Sequence, residues 1–242
     1  MREGWIRSVR IERDGVGQPD AYPFALPALR DLDTLDLHPG VTFLVGENGS
    51  GKSTLVEAIA VAAGFNAEGG SRNFNFSTRD STSGLHRHLR LVRSPSRPRT
   101  GFFLRAESFF NVASEIEQLG PEVARSYGSR SLHEQSHGES FLSLVLNRFG
   151  PDGLYLMDEP EAALSPQGCL ALIRAIHDLV ADGCQFIIAT HSPLLIATPG
   201  ALVLELDEDG ISRVPYEQTR TFGLFRSFTE SPDRFLRTLL AD

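Results

Sequence analysis

A glycine-rich stretch, VGENGSGKST, carries the clearest chemical pattern in this chain. It fits GxxxxGK[ST] between an apolar run that predicts a strand and a segment of good helix formers, the context expected of a phosphate-binding loop. Its glycines let consecutive backbone N–H groups point into one cavity, and the helix start adds positive charge there. We expect Lys52 to neutralise the β- and γ-phosphates and the Ser53 hydroxyl to bind Mg²⁺. The residues predicted to surround the phosphates are Gly46, Glu47, Asn48, Gly49, Ser50, Gly51, Lys52, Ser53 and Thr54.

The basic residues of the chain single out the same loop. Of the 23 lysine and arginine residues, Lys52 is the only lysine. A chain that uses arginine everywhere else but lysine here is consistent with a need for a compact ammonium group, which a planar guanidinium does not replace.

Two carboxylates end a second apolar run, in GLYLMDEPEAAL. Ligands of doubly wound sheets bind outside the carboxyl ends of the strands, so we expect Asp158 beside the phosphate loop, holding Mg²⁺ directly or through water. Glu159 is then placed to orient or deprotonate an attacking water. An acidic turn that only caps a buried strand is the alternative, and the presence of Lys52 in the same chain disfavours it.

A histidine follows a third apolar run, in FIIATHSPLL. His191 could be a cap or a surface residue. In this order and company, we expect its imidazole to reach the γ-phosphate or the attacking water by a hydrogen bond.

These motifs need a scaffold of strands alternating with helices. Continuous apolar strands predict an α/β fold with a mainly parallel sheet covered on both faces, and an N-terminal strand and a late hairpin predict an added antiparallel part. The predicted strands are 5–12, 41–45, 101–106, 154–158, 186–190, 202–206 and 211–214. The predicted helices are 53–63, 108–119, 165–181 and 233–240.

Length and composition favour one domain spanning residues 1–242. Residues 65–100 are rich in Gly, Ser, Asn, Arg and Pro and predict a partly mobile insertion, and 215–242 predict a C-terminal helical segment. No apolar run approaches the length of a membrane span and the N-terminus has no signal-peptide core, which predicts a cytoplasmic protein. Cys169 and Cys184 lack metal-site spacing and predict buried reduced thiols.

The charge is uneven. The formal net charge is −8, which argues against a protein coated for nonspecific nucleic-acid binding. Between His86 and Arg105, however, six arginines occur without an acidic residue: Arg87, Arg90, Arg93, Arg97, Arg99 and Arg105. This segment is either a solvated loop or a docking surface for a phosphate backbone or an acidic partner.

A polar stretch, QSHGES, leads directly into an apolar periodic segment that predicts a helix. Helix capping explains Ser136 and Glu139. It does not explain Gly138, because glycine in the first turn weakens a helix.

Together these motifs resemble the ATP-binding-cassette (ABC) ATPases, especially the soluble branch with the chromosome-maintenance and DNA-repair ATPases and short bacterial members often called the AAA family. The resemblance covers roughly residues 1–210. It implies that the segment from Gln135 to Glu139 stands for the LSGGQ loop, which binds the ATP of the opposite subunit. Ser136 would then donate to the γ-phosphate and Gly138 would permit close approach, so that ATP joins a head-to-tail homodimer.

The chain departs from the family pattern at several places. Gln135 and His137 replace the leading leucine and first glycine of LSGGQ. Glu107, in FLRAESFF, takes the place of a glutamine that contacts Mg²⁺ or water, so the implied metal set is Ser53, Asp158 and Glu107. The loop usually written SALD reads AALS at 162–165. Adenine would stack on Tyr22 or Phe24, although either could be a core residue.

The main functional hypothesis is an ATP hydrolase that dimerises on ATP, with Glu159, His191 and Lys52 as catalytic residues. It would serve a partner or a nucleic-acid process such as DNA repair or phage defence. One alternative is the nucleotide-binding subunit of an ABC transporter, and another is a regulatory module that binds ATP without hydrolysing it. The short span between Gly64 and Ser136 leaves no room for a long coiled-coil arm.

Overall fold

The computed structural model describes residues 3–18, 20–72, 83–118 and 136–241. Its strands are β1 (Ile6–Ile11), β2 (Thr34–Asp36), β3 (Val41–Gly46), β4 (Leu89–Arg93), β5 (Thr100–Arg105), β6 (Gly153–Asp158), β7 (Gln185–Ala189), β8 (Leu202–Asp207) and β9 (Gly210–Arg213). Its helices are α1 (Pro27–Arg30), α2 (Lys52–Ala62), α3 (Phe109–Gln118), α4 (His137–Arg148), α5 (Pro166–Ala181), α6 (Arg220–Glu230) and α7 (Pro232–Leu239). Short 3₁₀ turns include Leu85–His88 and Pro160–Ala163.

The main sheet has six strands in the order β5-β6-β7-β3-β8-β9. All neighbouring pairs are parallel except the β8–β9 hairpin, which confirms the predicted α/β class. The register aligns the strand ends, because Arg105 pairs with Asp158, and Asp158 and Leu44 both pair with Ala189. The carboxyl ends of β5, β6, β7 and β3 therefore form one edge.

A smaller antiparallel sheet has the order β2-β1-β4. It confirms the added antiparallel part for the N-terminal strand, whereas the late hairpin extends the main sheet instead. It also corrects the prediction for residues 65–100, because Leu89–Arg93 form a strand that pairs along β1. The preceding 3₁₀ turn buries Leu85, and Phe65 is also buried. This part of the expected insertion thus contributes to the core, while residues 73–82 lie outside the described ranges.

Apolar side chains cover both faces of the main sheet. One buried cluster joins it to α3, α4 and α5, and the other joins it to α2 and the small sheet. Alternate residues of the fully buried β3 serve the two clusters: Phe43 faces the first and Leu44 the second. The continuous apolar strands seen in the sequence thus have a packing layer on either side.

Several local predictions are also confirmed. Ser165 caps α5 by accepting from the Gly168 N–H, with Pro166 in the first turn. Cys169 and Cys184 are free and buried. The C-terminal segment forms α6 and α7, whose larger apolar side chains are exposed or half-buried. None of the helices in the described ranges has both the length and the apolar character needed to cross a membrane.

Candidate nucleotide site

The phosphate loop joins β3 to α2 and turns on three glycines in the left-handed region. The φ angles are 145° at Gly46, 81° at Gly49 and 100° at Gly51. A β-carbon at Gly46 would also overlap the Leu206 carbonyl oxygen of the adjacent strand. Glycine is therefore required where β3 ends, and the loop it permits leads directly into the N-terminus of α2.

Lys52, the first residue of α2, is buried within this loop. Lys52 is 3% exposed, and its Nζ donates to the Glu47 carbonyl oxygen at 2.8 Å. Burial lowers the pKa of Lys52, while Glu159, Asp158 and Glu161 act against that shift. The ammonium thus lies within the electrostatic reach of these three carboxylates, and its hydrogen bond is to a neutral carbonyl that an anion can replace.

Polar side chains line the rest of the loop. The Ser50 hydroxyl is buried without a hydrogen-bond partner among the described residues. On the first turn of α2, Thr54 shares a 3.0 Å hydrogen bond with the Tyr22 hydroxyl. The Tyr22 ring is 63% exposed, whereas Phe24 is buried and packs edge-on against His88. Tyr22 is therefore the accessible one of the two aromatic candidates for adenine.

Asp158 ends β6 beside the first turn of α2. The carboxylate is buried, and burial raises its pKa to about 6 even though Arg105 and a hydrogen bond from Ser53 act to lower it. Its Oδ1 has no hydrogen-bond partner in the described part of the chain. A buried unpaired carboxylate oxygen next to a serine hydroxyl is a donor set that suits Mg²⁺.

This donor set is small. Within the described ranges, no group of three or more His, Cys, Asp or Glu residues stands together as a metal cage. Mg²⁺ is commonly held in proteins by one or two side chains, with phosphate oxygens and water completing its shell. The residues present therefore fit a cation that enters with a phosphate ligand.

Glu159 and His191 lie across from each other at the same edge. Glu159 adopts φ 51° and ψ 51°, uncommon values for a residue other than glycine, and its N–H donates to Ala189 at 2.9 Å. Its Oε1 is 3.5 Å from Nε2 of His191, and the His191 N–H donates to the Glu161 carboxylate. At this distance the imidazole and the carboxylate can both contact a single water or phosphate oxygen that lies beside the pair.

Arg105, which the sequence grouped with the basic segment, belongs to this site instead. Its side chain is 16% exposed, with Nη1 2.9 Å from Glu57 and Nε 3.4 Å from Asp158. Nη1 also donates to the Ala67 carbonyl oxygen at 3.1 Å. Glu57 lies one turn after Ser53 on α2, so this guanidinium links the helix that carries Ser53 to the strand that carries Asp158.

Two cavities flank the phosphate loop. One, of about 820 Å³, is bounded by the loop, by His191 and by residues of α6 that the sequence did not suggest: Arg220, Leu224 and Phe225. The other, of about 450 Å³, lies between Ser53, Asp158 and Glu159 and extends to His137 at the start of α4. His191 thus borders the first cavity, and Ser53, Asp158 and Glu159 border the second, at the carboxyl edge of the sheet.

The start of α4 is capped as the sequence predicted. The Ser136 hydroxyl accepts from the Glu139 N–H at 3.4 Å, and the Glu139 carboxylate accepts from the Ser136 N–H at 3.0 Å. Gly138 has a separate reason within the chain, because a β-carbon there would lie 3.0 Å from the Ala163 carbonyl oxygen. Glycine thus allows α4 to approach the turn after Glu159. Gln135 lies outside the described residues.

The comparisons with known proteins point to one family. A model named "AAA domain" matches residues 24–105, and one described as "AAA domain, putative AbiEii toxin, Type IV TA system" matches residues 140–197. A "Putative ABC transporter ATP-binding protein" from Streptomyces avermitilis is 31% identical over 188 residues, which cover 70% of this chain and 32% of that protein. The chain belongs to the ABC-type P-loop ATPase family.

Other ABC relatives match a similar share of the chain. The "Putative ribose/galactose/methyl galactoside import ATP-binding protein 1" of Rhizobium etli is 29% identical over 194 residues, 69% of this chain and 37% of that protein. The chain thus spans about a third of the length of these curated relatives. A solved structure, "An inward-facing conformation of a putative metal-chelate type ABC transporter", superposes with a TM-score of 0.51 at 16% identity, covering 90% and 88% of the two chains. That likeness shows the shared ABC fold.

Within this ABC fold, Glu107 lies after β5, where the resemblance placed a metal-contacting side chain. It borders the smaller cavity with Ser53 and Asp158, but its side chain is 89% exposed. Its Oε2 lies 3.8 Å from Nη2 of Arg105. The role of Glu107 in binding Mg²⁺ stays a prediction, and Arg105 is the side chain from this strand end that reaches Asp158.

Proposed function

We propose that this ABC-family chain binds ATP with Mg²⁺ and hydrolyses it. The observation that supports this most directly is the meeting of a buried ammonium, a buried unpaired carboxylate oxygen and the Glu159–His191 pair at one edge of the sheet. Phosphoryl transfer depends on positioning and charge neutralisation, and these are the groups that supply both.

Each residue has a defined part in the proposal. Lys52 leaves the Glu47 carbonyl and binds the β- and γ-phosphates, together with the N–H groups of the loop. Ser53 and Asp158 hold the cation, which neutralises phosphate charge when bound. Glu159 accepts the proton of the attacking water on a carboxylate oxygen, and Nε2 of His191 binds the γ-phosphate or that water.

We further propose that ATP joins two copies head to tail. Ser136, His137 and Glu139 are exposed at the start of a 12-residue helix, so a phosphate carried by another chain can approach the positive end of that helix. In that arrangement, the phosphate loop of one copy and Ser136 of its partner hold the same nucleotide.

The Glu159→Gln variant tests both parts. We expect it to bind ATP normally, to lose turnover by about a thousandfold, and to accumulate as a dimer in light scattering when ATP and Mg²⁺ are present. Glu217→Gln, an exposed change with the same loss of charge, is the control and should hydrolyse ATP like the original chain. Unchanged turnover in Glu159→Gln would remove Glu159 from the mechanism.

The process served by this cycle is the finer part of the proposal. The family description that names a toxin system and the resemblance to repair ATPases favour a cytoplasmic role in genome defence or DNA repair, with a partner protein or nucleic acid. The names of the curated relatives favour the second candidate, a transporter subunit. Co-purification with an integral membrane protein in detergent would support that candidate, and ATP binding without turnover would support the regulatory module.

A further inference from the structure

A second basic site lies at the end of the sheet away from the phosphate loop. It is a cavity of about 390 Å³ next to the beginning of β6 and the end of α2. Its charged lining consists of three arginines, Arg72, Arg93 and Arg97, which meet an aromatic wall at Trp5. No carboxylate is among the residues that line it in the described ranges.

The charges of Arg93 and Arg97 act on the Arg72 guanidinium. The pKa of Arg72 is lowered by burial first and then by the charges of Arg93 and Arg97. Like charges that converge without an acidic neighbour raise the positive potential of the space between them. A bound anion would relieve that repulsion.

The cavity is built by contacts within the chain. Trp5 Nε1 donates to the Gly153 carbonyl at 3.0 Å, and the Ser94 N–H donates to the Trp5 carbonyl at 3.2 Å. Arg93 donates to the Ala62 carbonyl at 2.8 Å, and the Arg72 guanidinium lies 5.2 Å from the centre of the Phe65 ring. These contacts position Trp5, Arg72 and Arg93 around the cavity without a ligand.

Other arginines of the basic segment differ from these. Arg90 pairs with Glu12 at 3.3 Å, and Arg99 pairs with Asp152 at 3.5 Å. Arg105 is committed to Glu57 and Asp158. The segment between His86 and Arg105 is therefore not one docking surface. Of its arginines, Arg93 and Arg97 enter the cavity, and they are joined there by Arg72 from outside the segment.

We propose that the Arg72–Arg93–Arg97 cavity is a binding site for a phosphate group, separate from the nucleotide site. Guanidinium forks match phosphate oxygens and carry the positive charge that balances a phosphate anion. The phosphate belongs either to a nucleic-acid strand or to a free phosphate compound, and the chemistry of recognition is the same. This inference does not depend on ATP hydrolysis.

The test is made in the Lys52→Ala background, which removes the phosphate loop as a competing site. Calorimetry with pyrophosphate and fluorescence anisotropy with short single-stranded and double-stranded oligonucleotides measure the two sources. We expect Arg97→Gln and Arg72→Gln each to weaken binding about tenfold. For a single strand, each should also reduce the slope of log affinity against log salt by about 0.7.

Arg90→Gln and Arg99→Gln remove the same charge outside the cavity and are the matched controls. Thermal unfolding of each variant establishes that it is folded. If the cavity variants bind oligonucleotides more weakly than the controls do, the site is assigned to nucleic acid. If they lose only pyrophosphate binding relative to the controls, the site is assigned to a free phosphate compound. No binding of either probe, or equal losses in cavity and control variants, would overturn the proposal.

Discussion

The phosphate loop and the start of α4 are both helix N-termini with a serine and a glycine, but they differ in what surrounds them. The loop encloses its side of the site, with Lys52 buried and Gly46 packed against β8. The start of α4 leaves Ser136 and Glu139 exposed and bonded to each other. A ligand site formed by a single chain needs buried side chains from several strands and helices. A site formed by two chains can remain an exposed, capped helix N-terminus until the second chain binds.

The strongest way to break this comparison is to remove the ammonium from the enclosed side. We expect Lys52→Ala to weaken ATP binding at least about a thousandfold, because truncating a buried charge that faces an anion costs several kcal/mol. Calorimetry measures the loss. Lys52→Arg is the matched variant, and we expect it also to bind weakly, because a guanidinium does not fit the place of a compact ammonium. Normal affinity in Lys52→Ala would contradict the phosphate-loop assignment.

Arg105→Gln tests whether the enclosed side depends on a link between α2 and β6. Removing the guanidinium leaves Glu57 and Asp158 as buried carboxylates without a cation between them, which should reduce the free energy of unfolding by about 3 kcal/mol. Arg105 acts to lower the pKa of Asp158, so without it a proton competes more strongly with Mg²⁺ for that carboxylate. We therefore expect a higher Mg²⁺ concentration to be needed for nucleotide binding, while Mg²⁺-free binding changes little. Denaturant unfolding and a Mg²⁺ titration with a fluorescent nucleotide provide the two measurements.

Arg105→Lys separates the two parts of that prediction. It keeps a positive charge, so we expect most of the stability to return. It cannot reach Glu57 and Asp158 as a planar fork does, so the Mg²⁺ requirement should stay raised. Equal weakening of nucleotide binding with and without Mg²⁺ would leave Arg105 only a structural role.

The glycines give a smaller and more direct comparison. Gly46→Ala places a β-carbon against the Leu206 carbonyl at a left-handed φ. We expect the free energy of unfolding to fall by about 2 kcal/mol and nucleotide binding to be lost. At Gly138, alanine favours the helix by about 1 kcal/mol but meets the Ala163 carbonyl, so stability should change little. Thermal unfolding of both variants checks this. A larger loss at Gly138 would mean that α4 cannot move away from that carbonyl.

The sequence predicted the buried strands better than it predicted the partly exposed ones. The β3, β6 and β7 strands were predicted to within a residue or so at each end, because a strand buried on both faces is a continuous apolar run. β4 was missed because it lies inside a Gly-, Ser- and Pro-rich segment and LRLVR alternates apolar and polar residues only as far as Leu91, after which Val92 breaks the period of two that marks a strand.

Contacts between residues that are far apart in the sequence were the hardest to predict. Nothing local relates Arg105 to Glu57 and Asp158, which lie about fifty residues away on either side. The register of β5 with β6, which aligns Arg105 with Asp158, creates that relation. The need for glycine at position 138 could not be predicted for the same reason, because the Ala163 carbonyl is close only once α4 packs beside the turn that follows β6.

Ser136→Ala is the mildest change and gives the sharpest test of the open side. Loss of the cap should cost about 1 kcal/mol of stability, and ATP should still bind to the single chain. If Ser136 acts on the nucleotide of a partner, ATP-dependent dimerisation and turnover should fall. Light scattering and an ATPase assay measure both, with Ser143→Ala, farther along the same helix, as the control.

Mixing the variants then distinguishes a contact within one chain from a contact between two. A pair formed by one Lys52→Ala chain and one Ser136→Ala chain contains one site with an intact phosphate loop and an intact partner serine. Random pairing of equal amounts restores about a quarter of the original sites, so turnover of the mixture should exceed that of either variant alone. If Ser136 served its own chain's nucleotide instead, every site in the mixture would lack one of the two groups. Turnover of the mixture would then stay at or below that of Ser136→Ala alone, and the open helix start would have no function in trans.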